Sequence, residues 1–255
     1  MELPIELWQI ILDYSYFIEQ INLTMVCKYF NNNLKIFDFL CNNTYSFSWS
    51  YDYDKINEKV TNDILKKYPY IKFLDISFME NVTDEGIKHL KLHTLRTNDN
   101  ITDDGIKHMN LYELCSNRNI TDEGIKYMTN MEDLNIASEN VTDKGIENMT
   151  NLKYLDEHWS GITDEGLKNI KLLHLHIKSN NITSKGLLHM KDSLKGMYIE
   201  YCKKFYAEDI LQLKLDYLEV NADDMFVDNV LEHPNMRTYL DNLKEFVCEA
   251  DWGRN

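Results

Sequence analysis

The sequence predicts an α/β solenoid, a stack of short coils that each carry one parallel strand and a helical turn, preceded by a small all-α region. Three observations carry this. A ten-residue segment recurs as NVTDEGIKHL (81–90), NITDDGIKHM (100–109), NITDEGIKYM (119–128), NVTDKGIENM (140–149), GITDEGLKNI (161–170) and NITSKGLLHM (181–190). Its threonines, Thr83, Thr102, Thr121, Thr142, Thr163 and Thr183, are separated by 19, 19, 21, 21 and 20 residues, and a fixed period near twenty marks a solenoid. Between the copies runs L-x-x-L-x-h: Leu92 and Leu95 with Thr97; Leu111 and Leu114 with Ser116; Met131, Leu134 and Ile136; Leu152 and Leu155; Leu172, Leu175 and Ile177; and Leu194, Met197, Ile199 and Cys202.

This second pattern resembles the leucine-rich-repeat signature. The resemblance implies a curved solenoid with parallel strands on its concave face and short helices on its convex face. It also places a buried asparagine ladder at Asn100, Asn119, Asn140 and Asn181, with Gly161 breaking one rung. Within each copy of the segment, threonine reads as a helix N-cap, because its hydroxyl accepts a bond from a free first-turn amide, and the acids after it face the positive helix end. Glycine weakens a helix turn, so Gly86, Gly105, Gly124, Gly145, Gly166 and Gly186 predict a close approach between adjacent coils. Ile106 with Met109 and Ile125 with Met128 keep the i, i+3 spacing of an inward face. Carboxylates that bind calcium in solenoids sit on glycine-rich turns with little helix; here they precede a helical apolar pair, so capping is the reading.

Degenerate copies at 60–77 and 205–220 extend the array to about eight coils, as expected where a solenoid end meets water. YSFSWSY (45–51) reads as a capping strand, and Phe226, Val230, Leu240, Leu243 and Val247 as one or two capping helices over 223–255.

The first forty residues are a different object. Leu7, Ile10, Ile11 and Tyr14 share one helical face, and Leu23, Val26, Cys27 and Phe30 form a second stripe. The opening Leu-Pro, the Glu-Leu-x-x-Ile-Ile-x-x-Tyr helix and the closing Val-Cys-Lys-x-Phe resemble an F-box. With the repeats, the chain resembles F-box/leucine-rich-repeat proteins, substrate receptors of SCF-type ubiquitin ligases. That resemblance implies a Skp1-like adaptor, and through it a cullin ligase, docking on Leu3, Pro4, Ile5, Leu7, Ile10 and Ile11. The expected division is 1–42 F-box-like, 43–222 solenoid and 223–255 cap. The Asn- and Ile-rich composition is similar to that of chains from AT-rich genomes, giant viruses among them.

In a strand written L-x-L the intervening side chains point away from the core. One column therefore reads Asp75, Arg96, Cys115, Asn135, Asp156, His176, Tyr198 and Glu219, with Tyr154, His158, His174, Lys178, Glu200 and Tyr217 beside it. This set is irregular where the scaffold is regular, as a surface that binds a target protein should be. The His158, His174, His176 and Asp156 group raises a zinc or general-base reading. Ligation needs three or four convergent donors, and histidines on a sheet face seldom converge, so polar recognition is preferred and no metal, cofactor or enzymatic activity is expected.

Composition bounds the remaining classes. The chain has 255 residues, 44% of them hydrophobic, and a formal charge of −15. Such a surface repels nucleic acid and anionic membranes. Five scattered cysteines without a CxxC pair, and a start without a basic n-region, predict a reduced intracellular protein, cytoplasmic or nuclear, or in the host cytoplasm if viral. The Asn-x-Thr sequons at Asn81, Asn100, Asn119, Asn140 and Asn181 are by-products of the repeat.

Overall fold

A computed structural model describes residues 38–39, 60–200, 202–222 and 230–250. The chain divides into two compact units, Met1–Leu111 and Tyr112–Asn255. The first carries β1 (Asp38–Phe39), α1 (Asn62–Leu65), β2 (Phe73–Asp75), α2 (Asp84–Ile87), β3 (Thr94–Arg96) and α3 (Asp103–Ile106). The second carries β4 (Glu113–Cys115), α4 (Asp122–Ile125), β5 (Asp133–Ile136), α5 (Asp143–Ile146), β6 (Tyr154–Glu157), β7 (His174–Ile177), α6 (Ser184–Leu187), β8 (Gly196–Glu200), α7 (Ala207–Ile210), β9 (Tyr217–Ala222), α8 (Met236–Asp241) and β10 (Glu245–Ala250).

Within the first unit β1 pairs with β2 and β2 with β3; within the second, β4 through β10 pair in chain order, and every pairing is parallel. Parallel neighbours require a crossover of a dozen or more residues, which each coil supplies. Each unit is thus a stack of leucine-rich-repeat coils. The strand leucines stack in rows: Leu74 and Leu95 in one unit, and Leu114, Leu134, Leu155, Leu175, Met197 and Leu218 in the other, none more than 2% exposed. Four-residue helices are too short to persist alone. Their stability comes from Ile87 and Ile106 in the first unit and Ile125, Ile146 and Leu187 in the second, all buried.

The repeated segment does more than cap. Thr102, Thr121, Thr142 and Thr183 accept from the amide two residues on at 3.2–3.3 Å. Thr163 does the same for Glu165, although residues 164–167 form turns rather than a helix. Thr83 makes no such bond. In four coils the aspartate after the threonine reaches forward to the next coil and accepts from both the amide and the hydroxyl of the following threonine. Asp84 holds Thr102 at 2.9 and 2.7 Å, Asp122 holds Thr142 at 2.7 and 2.7 Å, Asp143 holds Thr163 at 2.7 and 2.8 Å, and Asp164 holds Thr183 at 2.8 and 2.8 Å. Asn62 does the same for Thr83 with its amide group.

Each of these side chains occupies the space where the next coil's glycine would carry a Cβ. That atom would lie 2.3 Å from Asp84 Oδ1 at Gly105, 2.4 Å from Asp143 Oδ1 at Gly166 and 2.2 Å from Asp164 Oδ1 at Gly186. None of the described glycines has a positive φ, so these are chosen for space and not for backbone freedom. Threonine, aspartate and glycine form one inter-coil joint.

The buried ladder lies two residues ahead of the expected asparagines. Asn100, Asn119, Asn140 and Asn181 are exposed, whereas Asn98, Asn117, Ser138, Ser179 and Cys202 are buried. Asn98 Nδ2 donates to the carbonyls of Met79 and Val82, Ser138 to those of Arg118 and Ile120, and Cys202 to those of Ile177 and Ser179. The rungs keep a fixed three-residue distance to the apolar residue that follows (Ile101, Ile120, Val141, Ile182, Phe205), so the asparagine directly before that apolar residue, where the ladder was expected, stands two places past the rung. Ser160 fills the corresponding place in its coil, one residue later.

The ends also differ from expectation. The Leu3, Pro4, Ile5, Leu7, Ile10 and Ile11 set, the 45–51 strand and Phe226 lie outside the described residues. Strand pairing begins at Asp38, inside the region expected to be helical throughout. At the other end α8 is the expected helix, but Val247 belongs to strand β10, which pairs with β9 in register from Glu245 opposite Tyr217. An open edge strand leaves a row of unpaired backbone groups. Leu243-x-x-Phe246-x-Cys248 repeats the strand pattern closely enough to satisfy that edge.

Candidate functional site: the outer face of the strands

Parallel in-register pairing turns the expected column into a physical one. In the first unit Asp75 lies opposite Arg96. In the second, Cys115, Asn135, Asp156, His176, Tyr198 and Glu219 follow one another on consecutive strands. A neighbouring column reads Glu113, Asp133, Tyr154, His174, Gly196 and Tyr217. Gly196 is the gap in it: a Cβ there would meet His174 Nδ1 at 2.2 Å. The His174 ring lies across that gap and stacks on Tyr154, centroids 5.2 Å apart and planes 9° from parallel. Tyr154, His174, Gly196 and Tyr217 line a shallow depression there. Tyr217 donates to Glu219, and burial, followed by this carboxylate, raises the phenol's pKa.

Beside the depression, Asp156, His158 and His176 converge, which corrects the expectation that the histidines stay apart. Residues 156 and 176 are direct partners on β6 and β7, and His158 follows two residues after Asp156 on the same face. Asp156 Oδ1 is 2.7 Å from His158 Nε2 and 2.8 Å from His176 Nδ1. Burial pushes the Asp156 carboxyl up, but the two imidazoles outweigh it and hold the pKa below its ordinary value. Asn135 Nδ2 donates to the other oxygen, Oδ2, at 2.6 Å. The His176 ring also lies 4.9 Å from His158 and 4.2 Å from Tyr198, centroid to centroid. His176 Nε2 faces Glu200 at 3.8 Å, and Glu200 pairs with Lys178 at 2.8 Å. His174 takes no part in this cluster.

Two residues of the same coil escaped the sequence reading. Glu157 stands in the core row of Ile136, Ile177 and Ile199 and is fully buried; its Oε1 accepts from the Ser160 amide. That bond ties down a turn in which Trp159 takes φ 62° and remains 65% exposed. A large residue in the left-handed region is strained, and an exposed tryptophan on a fixed turn is an interface anchor in type. The sequence signal was a charged residue, and tryptophan two residues on, at places where the adjacent coils have isoleucine and serine (Ile136 and Ser138, Ile177 and Ser179).

No helix of the described residues is long and apolar enough to cross a membrane. No curated protein matches the sequence significantly. A family profile described as Leucine Rich repeat matches residues 168–189. Among solved structures the chain is similar to internalin C2 from Listeria monocytogenes, at 20% identity over 74% of this chain and 84% of that one, with a TM-score of 0.43. It is also similar to a chain of the yeast Rad7 and Elc1 complex, at 13% identity over 89% and 86%, with a TM-score of 0.35. The short profile match and the coils described above agree on the fold, that of a leucine-rich-repeat interaction module.

Proposed function

We propose that the chain is a non-catalytic recognition adaptor of an SCF-type ubiquitin ligase. The amino-terminal residues Leu3, Pro4, Ile5, Leu7, Ile10 and Ile11 engage a Skp1-like adaptor, and the outer strand face holds a target protein. The observation that carries the recognition part is the contrast between faces: inward positions repeat coil after coil, while outward positions change at every strand. Tyrosine and histidine gather there around Asp156, and tyrosine is among the residue types that contribute most at interfaces. Asp133, Asp156, Glu200 and Glu219 favour a partner whose complementary surface is basic. The ligase part rests on the F-box-like sequence of the first forty residues.

Copurification of the full chain with Skp1 tests it. The wild type is expected to retain Skp1, and Leu3→Ala/Pro4→Ala to lose at least tenfold of it with an unchanged melting curve. A wild type that retains none withdraws the ligase role. It leaves a leucine-rich-repeat interaction module whose amino-terminal helices serve as a solenoid cap.

A further inference from the structure

We propose that Asp156, His158 and His176 form a binding site for a divalent first-row transition metal of the zinc type. One donor atom from each residue lies within 4.8 Å of the others. The short contacts among them are not an already satisfied network. Asp156 Oδ1 and His158 Nε2, two of the three donor atoms, are buried and complete no hydrogen bond despite their 2.7 Å approach, and the third donor, His176 Nδ1, stands 2.8 Å from the same oxygen. Buried polar atoms are nearly always partnered, and here two orphans able to ligate a metal stand side by side.

Two imidazoles and a carboxylate suit zinc, cobalt or nickel, and three protein donors leave a fourth position open. Donors about a tetrahedral zinc with bonds of 2.0–2.1 Å stand about 3.3 Å apart, so the two Asp–His approaches, at 2.7 and 2.8 Å, open by about half an ångström to admit the ion. All three residues are partly exposed, with side-chain accessibilities between 22% and 32%, which provides both entry and room for that opening.

The surroundings are those of a supported metal site. Asn135 donates to Asp156 Oδ2 and leaves Oδ1 toward the imidazoles. With His176 Nδ1 on the metal, its Nε2–H faces Glu200 at 3.8 Å, longer than a hydrogen bond, and a small closing movement of the carboxylate would complete the carboxylate–histidine–metal arrangement that fixes a ligand's tautomer and orientation. Lys178 in turn holds Glu200. His174 belongs to the neighbouring column and is not a ligand. The inference is independent of the adaptor reading, since a metal here would shape the recognition face whatever the partner.

Equilibrium dialysis of the tag-free full chain against zinc, with metal analysis, provides the test. The wild type and His174→Ala are expected to bind one zinc per chain. His158→Ala/His176→Ala is expected to lose at least tenfold in affinity, and Glu200→Gln about tenfold. Circular dichroism checks that each variant is folded, and His158→Gln/His176→Gln stands in if the alanine pair is not. A cobalt titration of the wild type needs no variant: visible d–d bands without a thiolate charge-transfer band are expected. Zinc binding by the wild type no stronger than by the double variants, or equal loss in His174→Ala, overturns the assignment.

Discussion

Gly186→Ala is expected to destabilise the protein by about 3 kcal/mol, at the upper end of what one extra methyl costs in a packed site. The new Cβ would stand 2.2 Å from Asp164 Oδ1, 2.8 Å from its Cγ and 3.2 Å from its Cα. Rotating the carboxylate away sacrifices both bonds to Thr183, at 2.8 Å each. Keeping them forces the two coils apart. For a chain of this size, about 3 kcal/mol lowers Tm by roughly 6–12 °C. The double variant Asp164→Ala/Gly186→Ala removes the obstruction along with the bonds, so its loss is expected to be smaller than the sum of the two single losses. Chemical denaturation of the four proteins measures this. Additive losses would mean that the aspartate and the glycine are not parts of one joint.

The second large effect separates neighbouring residues of one strand. Leu175 is 1% exposed, in the row between Leu155 and Met197. Leu175→Ala is expected to cost 2–5 kcal/mol, the usual range for a buried leucine. His176, the next residue, faces outward with 22% of its side chain accessible. His176→Ala is expected to cost less than about 1 kcal/mol, because its contacts with Asp156 and Tyr198 are polar or edge contacts on a partly solvated face and no core row is opened. Denaturation midpoints of the pair check this. Equal losses would contradict the assignment of core and outer faces.

Much of this architecture was legible because its physics repeats. Leucine at fixed spacing marks the core row, and threonine followed by an acid and glycine marks the joint, whatever the coil length. In-register parallel pairing made the outer column readable from spacing alone, from Cys115 through Glu219. The less legible features depend on contacts between coils. The forward reach of Asp84, Asp122, Asp143 and Asp164 is invisible in any single copy, where each looks like a first-turn acid. The ladder at Asn98, Asn117, Ser138 and Ser179 was misplaced because the asparagine that recurs in the sequence stands two residues later and is exposed, while the rung itself changes between asparagine and serine. The strand pattern brought His158, His174, His176 and Asp156 to notice as a group, but which of the histidines converge depends on the register of two strands and on side-chain packing. Trp159 combines an exposed ring with a left-handed backbone, a property of the turn that Glu157 holds and not of any periodic pattern.

The central claim is that the recurring segment is scaffold and the irregular outer face is where recognition occurs. The most direct measurement takes a protein partner captured by the wild-type chain and compares its affinity for two folded variants. One, the outer-face variant, is Tyr154→Ala/Trp159→Gly/Tyr198→Ala, on the outer strand face and the exposed turn after β6. Glycine suits the φ of 62° at position 159, and stability there should stay within about 1 kcal/mol. The other, Asp104→Asn/Glu123→Gln/Glu165→Gln, neutralises exposed acids of the recurring segment that pair with Lys107, Lys126 and Lys168. Anchors of this kind contribute about 2 kcal/mol each, roughly 30-fold. The outer-face variant is therefore expected to lose at least 100-fold in affinity, while the other binds as the wild type does. Loss of binding by the neutralised segment, with affinity retained by the outer-face variant, would contradict the account.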